Sequence, residues 1–194
     1  MKNVYVDHPK GKRQDIELTV RRVEPSVWTT MQFDKSHYLT SALNKSCRCL
    51  LFEWDGVPVA FVGILNAPKR GIPYACQVSR IVVLPDYQGL GLSTKIFNFC
   101  GGVVKSLSDD EHDYRMYIKT AHKKFGEALG RNPMVRGTVY DGKGRTKESA
   151  DDNRYRNRLT RVSYCKEYIG EAISGYEDIM RPINELRKEK NNKR

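Results

Sequence analysis

The sequence predicts an α/β domain, a mixed sheet covered by helices, from three observations. Apolar segments of strand and helix period follow one another along the chain. Asp55-Gly56 is a tight-turn dipeptide between two strand-like runs. Residues 79–93 run from a β-branched strand through a glycine-bearing turn into a helix. With 194 residues the chain accommodates one such domain, expected at 1–170, followed by a C-terminal helix and basic tail at 171–194.

Each element has its own signal. Glu17-Leu18-Thr19-Val20 alternates as a strand does. Pro25-Ser26 opens a short helix with a stripe through Val27, Met31 and Phe33, and Tyr38–Leu43 predicts a second. Cys49–Trp54 and Val57–Leu65 are the two arms of the hairpin, with Pro58 tolerated near a strand start. Ala75–Leu84 has the β-branched character of a buried strand. From Ser93 to about Ser106, a helix places Ile96, Phe97, Cys100, Val103, Val104 and Leu107 near one face. Tyr114–Lys119 is a strand, and His122–Leu129 a short helix stopped by Gly130. Asn66–Pro73 and Asp141–Asn153 are polar loops; Leu159–Ile169 holds one or two strands. Glu171–Lys190 predicts a helix interrupted at Pro182.

Composition narrows the function. The formal net charge is +11, and residues 131–166 carry 10 basic against 4 acidic groups. Arg154, Arg156, Arg158 and Arg161, with Tyr155 and Tyr164 nearby, suit phosphate contact and base stacking, so nucleic acid is an expected partner. A solvated surface loop explains the same residues equally well. The longest apolar run, Val57–Leu65, is far below the roughly 20 residues of a membrane span. No apolar secretory core follows Met1, so a cytoplasmic location is expected. The odd count of 5 cysteines argues against a disulfide framework, and neither they nor the 4 histidines have metal-ligand spacing. The oligomeric state stays open, a dimer being one option.

The chemistry-bearing segment is Ser79–Ser93. Glycines allow close backbone approach, and a helix start offers unpaired N–H groups at the positive end of its dipole, which together suit a diphosphate. A P-loop string is absent, and a dinucleotide fingerprint fails because Thr94 stands where its third glycine would be. The pattern Q-x-x-G-x-[GA] fits through Gln88, Gly91 and Ser93, directly after Val83-Leu84-Pro85, with Ser93 a mild departure.

This segment resembles motif A of the GNAT superfamily of N-acyltransferases. The resemblance implies a GNAT-like mixed, mostly antiparallel sheet with helices on both faces, and acetyl-CoA or another acyl-CoA as cofactor. It implies that Gln88, Gly89, Leu90, Gly91, Leu92 and Ser93 hold the diphosphate, and that Val82, Val83 and Leu84 meet the pantetheine arm. Phe33, His37-Tyr38-Leu39, Val59-Ala60-Phe61, Ser79-Arg80, Thr120-Ala121-His122 and Asn132-Pro133 are similar to the branch that holds phage Mom-like DNA-modifying proteins and acetyltransferase domains fused to ABC ATPases. That branch implies a base amine of DNA as acceptor. A protein, an aminoacyl-tRNA or a small amine is the alternative acceptor, and a non-catalytic nucleic-acid-binding module the remaining one.

Acyl transfer needs an unprotonated nitrogen, oxyanion donors and an acid for the leaving thiolate. Gln77–Val82 contains no carboxylate to serve as base. The candidate catalytic residues are therefore His37, Tyr38, Ser79, Arg80 and His122.

Overall fold

The computed structural model describes residues 16–36, 42–143 and 162–181. The first strand is β1 (Thr19–Val23), followed by α1 (Val27–Thr30) and a 3-10 turn at Phe33–Ser36. The hairpin is β2 (Arg48–Trp54) and β3 (Val57–Asn66), leading to β4 (Ala75–Val83). A second 3-10 turn (Pro85–Tyr87) precedes α2 (Leu92–Lys105). Then come β5 (Arg115–Thr120), α3 (Lys123–Gly130), β6 (Val135–Gly137), β7 (Tyr164–Tyr168) and α4 (Glu177–Met180).

The strands form one seven-stranded sheet in the order β1-β2-β3-β4-β5-β7-β6. The β4–β5 pair is parallel because α2 carries the chain back between them; every other pair is antiparallel. The expected mixed, mostly antiparallel sheet between helices is the observed one. Asp55 and Gly56 turn the hairpin with φ of 49° and 78°, the left-handed pair that matches strand twist.

Two cores result. On one face, α2 buries Leu92, Ile96, Phe97, Cys100, Val103 and Val104 against Leu50, Val62, Val78 and Met116. At Gly101 an added Cβ would lie 2.3 Å from Cγ of Tyr168, so only glycine lets β7 approach the helix this closely. On the other face, Trp28 of α1 and Phe33 pack on Phe61, with ring centroids 5.2 and 5.5 Å apart.

Several boundaries differ from expectation. β1 lies two residues later than its alternation suggested. Leu43 lies outside any helix, and a 3-10 turn at Phe33–Ser36 stands just before residues 37–41, which lie outside the described residues. The three-residue β6 carries too little periodicity to be visible in sequence. The helix predicted from Glu171 is four residues long among the described residues. Its partner is a buried arginine: Arg48, 3% exposed, donates to the Met180 carbonyl at 2.8 Å and also to Asn66 Oδ1 and Cys76 Sγ. No helix among the described residues is long and apolar enough to cross a membrane.

Candidate acyl-transfer site

The site begins with an irregularity in β4. Ile64 pairs with Val78 and Gly63 with Arg80, which leaves Ser79 as an extra residue, a β-bulge. Beyond the bulge β4 stays with β3 as far as Val83. On its other side, pairing with β5 ends at Val78 opposite Ile118. β5 instead continues along β7 to Thr120. The two parallel strands therefore splay, and beyond Val78 β4 has no strand paired on its β5 side.

The gap widens into a cleft of about 880 Å³. Its walls are β4 from Gln77 to Val83, the end of β5, the start of α3, and the turn from Tyr87 into α2. Gly89 and Gly91 adopt φ of 81° and 73°, and nothing lies within 4 Å of a Cβ built on either. Gly91 is the N-cap of α2 and supplies no side-chain cap. The first-turn N–H groups thus stand at the cleft with the positive end of the helix dipole. Gln88 ties the loop to the strand by donating its amide to the Val83 carbonyl at 2.9 Å.

The structure brings together Ser79, Arg80, Val82, Val83, Gln88, Gly89, Gly91, Leu92, Ser93 and His122 as cleft-lining residues. Leu84 and Leu90 pack instead against the two cores. His37, Tyr38, Arg154, Arg156, Arg158 and Arg161 lie outside the described residues; Ser36, just before the first of them, lines the cleft. Motif reasoning named Thr120 without assigning it to the site, and missed Thr94, Lys119, Lys124 and Phe125. Thr94 belongs to the same helix turn and was within reach of the motif; the others arrive from β5 and α3 through tertiary folding.

The polar groups have defined duties. Arg80 donates to the Ser79 carbonyl at 2.8 Å and the Ala42 carbonyl at 2.7 Å, fastening the segment after residue 41 to the bulge. Glu53 pairs with Arg21 at 2.9 Å. His122 caps α3, its Nδ1 accepting the Phe125 N–H at 3.2 Å. That hydrogen bond commits Nδ1 to the helix cap.

No carboxylate lines the cleft among the described residues. Glu167, 5% exposed, lies beyond it on β7, opposite Tyr117. It accepts from Arg115 Nε at 2.6 Å, Arg136 Nε at 2.8 Å and the Tyr117 hydroxyl at 3.2 Å. Burial alone would raise its pKa, but the hydrogen bonds from Arg136 and Arg115 outweigh it and hold the carboxyl below the usual range. The Tyr117 phenol is pushed up to about 12, by burial first and then by the Glu167 charge. Burial likewise pushes Cys49 up to about 12 and raises Cys47, so neither thiol is a nucleophile near neutrality. No group of three or more possible metal ligands occurs among the described residues.

Comparison with known proteins gives three findings. The model of the acetyltransferase (GNAT) family matches residues 15–119. Solved structures share the fold at low identity. The Escherichia coli ribosomal-protein-S18-alanine N-acetyltransferase is 12% identical, with 82% of this chain and 97% of that chain covered at a TM-score of 0.51. A GNAT acetyltransferase from Streptococcus pneumoniae is 14% identical, covering 79% and 100%, at 0.53. A spermidine N-acetyltransferase SpeG chimera from Vibrio cholerae and hSSAT is 12% identical, covering 78% and 95%, at 0.54. No curated protein sequence matches the chain. None of these three structures is named for a nucleic-acid substrate, and the match to the Mom-like branch has no counterpart among them.

Proposed function

The chain belongs to the acetyltransferase (GNAT) family, and from that premise we propose that it acylates an amine of a protein or small molecule. It is an enzyme of acyl-CoA-dependent transfer, with acetyl-CoA or a related acyl-CoA as cofactor. The residues present fit that group. The uncapped first turn of α2, with Gly89 and Gly91 open above it, suits a diphosphate, and the splay between β4 and β5 suits an extended arm. Gln88, Gly89, Gly91, Leu92 and Ser93 would hold the diphosphate; Val82 and Val83 would line the arm. When bound, acyl-CoA supplies an electrophilic thioester carbon and a thiolate leaving group. The chain supplies strand N–H groups of β4, preorganised at the edge of the gap, as donors to a carbonyl oxygen. It also supplies a fixed mouth at the bulge, where an acceptor is held against that carbon.

The carrying observation is the splay itself: β4 and β5 part at Val78 and Ile118, directly beside an uncapped helix start. A base amine of nucleic acid is the second reading, favoured by the cationic side chains Arg80, Lys119 and Lys124 in the cleft wall. Thermal unfolding of the chain with increasing acetyl-CoA tests the reading, because a ligand of the folded state alone raises apparent stability by about 2.7 kcal/mol at a hundred times its Kd. An unchanged melting temperature at millimolar acetyl-CoA refutes it.

A further inference from the structure

We propose that the acceptor nitrogen is one that carries no proton at neutral pH, a weakly basic amine of the arylamine type on an anionic molecule, and that the cleft is built against alkylammonium acceptors. The inference rests on the acyl-transfer reading and names its substrate class.

The charges in the cleft wall all have one sign. Arg80, Lys119, Lys124 and His122 line it, and no carboxylate is among the described lining residues. Lys124, on the first turn of α3, is placed to serve the phosphates of CoA. Arg80 and Lys119 are on the other side of the sheet. Val82 packs on the α1 face, and Arg80, two residues before it, shares that face and reaches the Ala42 carbonyl. Met116 and Ile118 pack toward α2, so Lys119 points the opposite way, with Tyr117 and Arg115.

That face stays positive along the neighbouring strands. Lys69 sits 3.3 Å from the Tyr117 ring centroid, and Arg115 and Arg136 flank Glu167. Lys69, Arg115 and Arg136 thus stand against the one carboxylate of this cluster among the described residues. Glu167 is held ionised by its arginines, which makes it a weak proton acceptor near neutrality. An alkylamine like that of lysine, with a pKa near 10.4, is unprotonated in only about one molecule in 2,500 at pH 7. It would enter a cationic cleft as a cation and find no carboxylate among the described lining residues to take its proton. A weakly basic nitrogen avoids both penalties, and an anionic body turns the same charges into attraction. The atoms balance without a base before attack. The nitrogen lone pair forms the C–N bond and the thioester C–S bond breaks. The proton the nitrogen then loses ends on sulfur, giving the CoA thiol.

The test uses the full chain with acetyl-CoA and three acceptors: p-aminobenzoate, aniline and spermidine. Thiol release and product mass are measured from pH 6 to 8. The expected kcat/KM falls from p-aminobenzoate to aniline to spermidine, with at least a tenfold span, and the p-aminobenzoate rate is nearly flat across this pH range. Lys119→Glu lowers kcat/KM for p-aminobenzoate by roughly tenfold, lowers that for aniline less, and leaves acetyl-CoA affinity unchanged. Spermidine as the best acceptor, or acetyl-CoA binding with neither arylamine acylated, overturns the inference while the transferase reading stands. Absence of acetyl-CoA binding defeats the transferase reading itself, a separate result.

Discussion

Val78 and Ile118 are the last residues at which β4 and β5 meet. The next residue of β4, Ser79, has no counterpart on β3 either. A bulge bends its own strand and increases local twist. Here it sits where one neighbour is kept and the other lost, so the same irregularity opens the slot and presents its backbone to it.

Gly91→Glu should abolish the acetyl-CoA-induced rise in melting temperature while leaving the chain folded. The variant sets a negative charge where the diphosphate is expected and puts a side chain at φ 73°, a strain of about 1–2 kcal/mol. Gly91→Ala carries the strain without the charge and should retain most of the rise. Calorimetric titration of both variants separates the two effects, and undiminished affinity in Gly91→Glu refutes the loop assignment.

Gly101→Ala should destabilise the fold, although alanine is the better helix former by about 1 kcal/mol. The new Cβ meets the Tyr168 ring at 2.3 Å from Cγ, at its attachment point and not at a yielding tip. A net loss of about 1–3 kcal/mol in urea unfolding is expected.

Glu167→Gln should cost about 2–3 kcal/mol, toward the lower range for a broken buried pair because Arg115 and Arg136 are 26% and 55% exposed. The folded state holds this carboxyl below its ordinary value near 4.5. Its contribution is therefore present above that value and is lost as pH falls through the lower folded value. Stability measured from pH 7 down to pH 3 should decline less steeply below pH 4.5 in the variant than in the parent.

Arg48→Met should release α4. The substitution keeps apolar bulk but strips a donor from the Met180 carbonyl and from Asn66, at about 1–3 kcal/mol for each buried group left unsatisfied. Faster amide exchange across residues 171–181, with β2 and β3 still protected, is the expected pattern. Unchanged exchange there would show that α4 is held by its apolar contacts alone.

Much of this arrangement was legible in the chain because the signals are local. The hairpin turn is two residues long, and its positive φ angles belong to Asp55 and Gly56 themselves. The segment from β4 through Gly89 and Gly91 into α2 is a contiguous strand, turn and helix, so its glycines and its uncapped N-terminus appear in one window. β6 was not legible: Val135–Gly137 is a strand only because β7 pairs with it. Nor was the non-helical stretch of residues 171–176 ahead of α4, which has helical composition. Lys119 stood at the end of a predicted strand with no motif to mark it, and Arg48 lay just outside the predicted strand; burial and facing decided both.

The amino-acid order by itself determined the glycine-bearing bend before α2, because backbone freedom at Gly89 and Gly91 and a bare helix start are properties of adjacent residues. Only the tertiary structure decided that β5 leaves β4 after Val78 and that the resulting cleft has cations and no carboxylate among its described walls. Those features depend on which strands pair and which side chains share a face, and pairing joins β3, β4, β5 and β7 from distant parts of the chain.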